Sequence, residues 1–201
     1  MAQAREEILL ETFIIYDDKV GQPLRQALID AARRGVRVEV AVDGYGTADL
    51  PDDFISSMTE AGVRFHSFDP QPRLVGMRTN LFRRLHRKIL VIDGQRAFIG
   101  GINIIDDYDD RDPTDGTTGP RFDFAVQVQG PLVTEAAYAQ ELLWVRLNWA
   151  RLRRHPRDWN RMRLLKPRHA SVAPCGDLRA ALVLRDNLRF RQTFERAYLY
   201  G

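Results

Sequence analysis

The chain has 201 residues, 44% of them hydrophobic and 28% charged, which is enough apolar material to bury a core and excludes a disordered segment. Its one cysteine, Cys175, excludes an internal disulfide and a cysteine-rich metal cluster, and is read as a small buried apolar residue rather than a nucleophile. The opening residues carry Glu6 and Glu7 ahead of an apolar-rich run that Glu11 interrupts, a pattern of neither a signal peptide nor a membrane span.

In chain order, Ile8–Ile15 predicts a strand, Pro23–Arg34 a helix and Val36–Val42 an alternating strand. Pro51-Asp52-Asp53 opens a second helix with proline and acids in its first turn, Gly62 ends it, and Val63–Phe68 forms the next strand. Pro70 and Pro72 stop regular structure. Lys88–Ile92 and Ala97–Ile99 flank an Asp93-Gly94 turn and read as a hairpin at the sheet centre. Six aspartates between Asp106 and Asp115 form a solvated loop, whose spacing does not match the helix-loop-helix calcium pattern.

Phe122–Val128 predicts another strand, and Gly130-Pro131 starts a long helix with Leu132, Ala136, Ala139, Leu143 and Leu147 on one face. The helix enters a segment, Trp144 to Arg168, with nine Arg or Lys against one acid, Asp158: a local +8 in a chain of net +3. All three tryptophans lie in it. Arginine beside tryptophan favours an anionic membrane surface over nucleic acid, and the alternative is an amphipathic helix packed on its own domain. Ala170–Gly176 is linker-like, Ala181–Leu184 resumes a strand, and Asn187 caps a further helix. The alternation as a whole is α/β.

The stretch that carries chemistry is His86-Arg87-Lys88-Ile89-Leu90-Val91-Ile92-Asp93, followed by Gly100-Gly101-Ile102-Asn103. Residues two apart on a strand share a face, about 6.5–7 Å apart, so His86 and Lys88 address one point. The neighbouring cation lowers the imidazole pKa, favouring the neutral nucleophilic form, and attracts a phosphate. Paired glycines allow close approach of backbone to an oxyanion, and Asn103 adds a donor.

This combination resembles the HKD signature of the phospholipase D superfamily. The resemblance implies an α/β lobe with a mixed central β-sheet flanked by helices. It makes His86 the nucleophile, Lys88 and Asn103 phosphate ligands, and Asp93 a mainly structural residue closing the strand. Asp123, in Arg121-Phe122-Asp123-Phe124, matches the acid that orients the nucleophilic imidazole in that superfamily, or else is an exposed strand acid. Glu11-Thr12-Phe13-Ile14-Ile15-Tyr16-Asp17-Asp18, Asn80 to Lys88, and Ala181 to Asn187 extend the likeness to bacterial cardiolipin synthases of the short, soluble-start type.

That likeness implies a phosphatidyltransferase working through a phosphohistidine on a phospholipid such as phosphatidylglycerol, without metal or cofactor, as a peripheral enzyme on the cytoplasmic face of the bacterial inner membrane. The superfamily uses two motifs, and this chain has one: His66, His155 and His169 are followed two residues on by Phe68, Arg157 and Ser171. Without the second histidine as general acid, the first step slows by about 10²–10⁴. The expected partner is therefore a second HKD lobe or a homodimer mate. Residues 1–169 are expected to form the lobe, 170–180 a linker and 181–201 the start of a second lobe. The front is short against the superfamily and is expected to leave an exposed sheet edge. The competing readings are a dimeric single-motif endonuclease and an inactive remnant that binds anionic lipid or phosphate.

Overall fold

The computed structural model describes residues 1–68, 85–108, 120–152, 172–184 and 193–200. Its strands are β1 (Glu7–Thr12), β2 (Arg37–Asp43), β3 (Arg64–Phe68), β4 (Lys88–Ile92), β5 (Arg96–Gly100) and β6 (Ala125–Val128). The helices are α1 (Gly21–Arg33), α2 (Asp52–Glu60), α3 (Pro131–Leu152) and α4 (Thr193–Tyr200). The strands form one mixed sheet in the order β3-β2-β1-β4-β5-β6. β1, β2 and β3 run parallel, as strands joined through helices can, while β4, β5 and β6 pair antiparallel.

β1 lies between β2 and β4 and is buried at all six positions. Among the described residues the sheet's edges are β3 and β6. Alternation splits β1 between two cores. Ile8 and Leu10 join Val38, Val40 and Val42 beneath α1 and α2, with Leu28, Phe54 and Met58. Leu9 joins Ile89, Val91 and Ala97 beneath Val133, Ala136 and Ala137 of α3.

α1, α2, β2, β3 and β4 stand within two residues of expectation, whereas β1 ends at Thr12, three residues before the expected Ile15. Asp18 explains the start of α1: its carboxylate accepts the N–H groups of Val20 and Gly21, both at 2.8 Å. The hairpin turn places Asp93 and Gly94 at φ 51° and 60°, the two positive angles that a primed turn requires.

Several expectations are corrected. β6 begins at Ala125 rather than Phe122, and Phe122 and Phe124 are largely exposed. Residues 181–184 form no strand; they have no ladder partner among the described residues, and Leu182 and Leu184 instead pack against the core beneath α3. Cys175 is exposed. The buried face of α3 is broader than the predicted stripe: Leu132 is half-buried, while Val133, Ala137, Gln140, Glu141 and Trp144 are buried. Trp144 thus belongs to the core, edge-on to His66 at 5.6 Å and stacked under the Arg64 guanidinium at 5.3 Å, rather than to a membrane-facing surface. The proline stop at Pro70 and Pro72, the stretch Asn80–Arg84, most of the aspartate loop, the basic run beyond Leu152 with Trp159, His155 and His169, the side chain of Trp149, and Asn187 lie outside the described residues.

Candidate active site

His86 sits two residues before β4 begins, and Lys88 is the first residue of that strand. The alternation nevertheless holds through the entry segment. Lys88 Nζ lies 3.5 Å from both His86 Nδ1 and Nε2 and donates to the His86 carbonyl at 3.2 Å. Beneath both lies Phe13, just past the end of β1. Its ring is 4.9 Å from the imidazole and 5.2 Å from the ammonium. The aromatic face attracts the cation and gives the imidazole an apolar floor.

This placement tunes both groups. Burial, then the Lys88 charge, holds the His86 imidazole below its ordinary pKa, with Asp43 pulling the other way. Neutral imidazole, with a free lone pair, is thereby favoured. Burial likewise lowers Lys88, and Asp123 opposes that shift. The site therefore offers a nucleophile beside a cation able to hold an anionic oxygen.

The segment is fixed from both sides. The Leu85 N–H donates to Asp43 Oδ2 at 2.7 Å, and Asp43 Oδ1 takes the N–H groups of Tyr45 and Gly46. Arg87, pointing away from His86, donates through Nε to Glu11 Oε1 at 2.6 Å. Glu11 is 1% exposed. Burial raises its carboxyl to about 7 against the opposing pull of Arg87.

The remaining predicted residues separate by location. Register pairs Lys88 with Gly100 and Gly100 with Ala125, so Asp123 shares the Lys88 face of the sheet. Its charge acts on Lys88; among the described residues the carboxylate acting on His86 is Asp43. The paired glycines have a local packing reason: a Cβ on Gly100 would collide with the Phe124 carbonyl, and one on Gly101 would lie 2.7 Å from Asp123 Oδ1. They admit β6 and Asp123 close to β5.

Asn103 follows on the segment that returns to the end of β1, where Ile104 N–H donates to Ile14 and its carbonyl accepts from Tyr16, both at 3.0 Å. Its side-chain oxygen is buried with no partner among the described residues, a cost of about 1–3 kcal/mol unless a ligand completes it. Asp93 stands at the opposite end of β4, accepting the backbone N–H groups of Arg5, Glu6 and Glu7 at 3.0, 2.8 and 2.9 Å.

Sequence reasoning missed Phe13, Asp43 and Glu11. For Glu11 a signal existed, an acid interrupting an otherwise apolar strand.

A protein-family model described as cardiolipin synthase, PLD-like domain, matches residues 1–110. Cardiolipin synthase B of Salmonella typhi is 42% identical over 209 residues, taking in 99% of this chain and 45% of its own length. The Escherichia coli cardiolipin synthase B is 42% identical over 201 residues, with the same shares. The chain thus spans about half the length of the curated relatives it matches. Among solved structures, Nuc from Salmonella typhimurium, a phospholipase D family member, aligns with a TM-score of 0.48 at 16% identity, covering 71% of this chain and 80% of Nuc.

Proposed function

The chain belongs to the cardiolipin synthase PLD-like domain family, and from that premise we propose that it is one lobe of a phosphatidyltransferase in which His86 carries the transferred group. In the first step an imidazole nitrogen of His86 attacks the phosphorus of phosphatidylglycerol. The P–N bond forms as the P–O bond to the glycerol headgroup breaks, and glycerol leaves with a proton from a general acid. In the second, a hydroxyl of another phospholipid attacks the phosphohistidine, gives up its proton to the same group now acting as base, and restores the free imidazole.

Lys88 holds a phosphoryl oxygen throughout, and its charge offsets the negative charge that builds there. Asn103 supplies a further polar contact, and Asp123 helps keep the ammonium charged. Asp93 has a structural role. The general acid comes from a second motif-bearing lobe, in the same polypeptide or a second copy, and the assembly works at the anionic surface of the inner membrane, on its cytoplasmic side. No helix among the described residues is long and apolar enough to cross a membrane.

The observation that carries this reading is the Lys88 ammonium 3.5 Å from both nitrogens of an imidazole that burial and that charge hold below its ordinary pKa. The test is to incubate the chain with phosphatidylglycerol radiolabelled at phosphorus, quench in alkali and map the acid-labile adduct. Label on the peptide containing His86, absent from His86→Ala, is the expected result. Label that survives in His86→Ala overturns it.

A further inference from the structure

The last β1–β4 ladder pair is Glu11 with Ile89, and the last β4–β5 pair is Lys88 with Gly100. His86 therefore lies beyond the end of both ladders, where alternation alone would not hold its direction. Two buried carboxylates flank it. Asp43 takes the backbone N–H of Leu85, one residue before, and Glu11 takes the guanidinium of Arg87, one residue after. Since neighbouring side chains on an extended segment point to opposite faces, fixing Arg87 on the α3 side turns His86 and Lys88 to the other.

We propose that the Glu11–Arg87 ion pair, on the reverse face of the sheet, is a positioning clamp that holds His86 against Lys88 and Phe13. Glu11 touches neither reacting group; it acts through Arg87. This role rests on the proposed use of His86 as nucleophile and adds a residue to it.

Three observations support a positioning role. Glu11 is buried at the sheet centre, where a carboxylate is retained at a cost in desolvation and a hydrophobic residue would pack as well. Its second oxygen is buried with no partner among the described residues, so Arg87 is its one described hydrogen-bond partner. Its neighbours on this face are already engaged: Glu7 and Glu39 with Arg37, Glu39 also with Arg64, Asp43 with backbone N–H groups, His66 with Trp144, and Gln140 of α3 with the carbonyls of Leu9 and Ile89. Glu141 of α3 is also buried and has a partner of its own. The remaining buried charge, Glu11, is left to govern Arg87.

The test uses the chain as it stands, with Glu11→Gln, Arg87→Met and Arg87→Lys, each first confirmed folded by its thermal transition. The first readout, carbethoxylation of His86 by diethyl pyrocarbonate against pH and mapped by mass spectrometry, needs no lipid. Release of His86 from Lys88 is expected to raise the midpoint of that profile by about half a pH unit or more in Glu11→Gln and Arg87→Met, while Arg87→Lys stays near the parent. The second readout, adduct formation from radiolabelled phosphatidylglycerol, is expected to slow by about 10- to 100-fold in the first two variants at unchanged lipid affinity. A parent that forms no adduct, as the missing general acid allows, leaves the carbethoxylation profiles to decide the clamp. Folded Glu11→Gln and Arg87→Met proteins with the parent profile overturn the clamp, whatever the lipid result.

Discussion

Under α1 and α2 the sheet presents Ile8, Leu10, Val38, Val40 and Val42, each 5% exposed or less, against Leu28, Phe54 and Met58. Under α3 the same strands present Glu7, Glu11, Arg37 and Glu39 among Leu9 and Ala41, with Arg64 arriving from β3 and Arg87 from the segment that leads into β4. The first face holds by removing apolar area from water, the second by matching charges that cannot be left alone. Their difference teaches where the site is free to vary: His86 and Lys88 open from the apolar side, but the residue between them is anchored on the charged side.

The contrast breaks most sharply at Phe54, 1% exposed. Phe54→Ala should lower unfolding stability by about 3–5 kcal/mol in urea titration, with little dependence on pH, because no charge is disturbed. Arg87→Met leaves Glu11 buried without its cation and should cost about 3 kcal/mol above neutral pH. That cost should shrink on acidification, since the stranded carboxyl can take up a proton; a cost equal on both sides of neutrality would refute the account.

Asp93→Ala removes the acceptor of three backbone N–H groups and places a β-carbon with no compensating hydrogen bond at φ 51°, with an expected loss of about 2 kcal/mol by the same titration. Glu11→Gln should sharpen the comparison through pH. Glu11 binds its proton more tightly folded than unfolded, about 7 against 4.5, so its contribution to stability is full below the lower value and is lost as pH rises through the higher. The stability of the parent relative to Glu11→Gln should therefore fall across that window, as thermal melts in a pH series would register. At the surface, Lys19 pairs with Asp106 while 67% of its side chain remains exposed, and Lys19→Met should leave the melting temperature unmoved within error.

Much of the fold was legible because it depends on short-range periodicity. The β1–α1–β2–α2–β3 rhythm, the Asp93-Gly94 turn, and the sharing of one face by His86 and Lys88 each follow from residues within one element. What escaped depends on meetings across the chain. Asp43 reaches Leu85, Glu11 reaches Arg87, and Phe13 lies under His86, and no local pattern announces any of them. Composition groups Trp144 with the arginines that follow it because it ignores which way a helix turns, whereas packing against His66 and Ala41 places it inside. Ala181–Leu184 has a strand's composition but no ladder partner among the described residues, and packs Leu182 and Leu184 against the core instead. The spacing of Gly100 and Gly101 suggests anion binding; the close passage of β6 and Asp123 is a reason for them that spacing does not disclose.

The corner at Asp93 carries a warning for mutational scans. Its carboxylate ties the start of β1 to the far end of the strand that bears Lys88, so replacing it would loosen the sheet and depress turnover at once. A survey scored on product alone would count Asp93 among the reacting groups; yield of folded protein, measured in parallel, would return it to the scaffold.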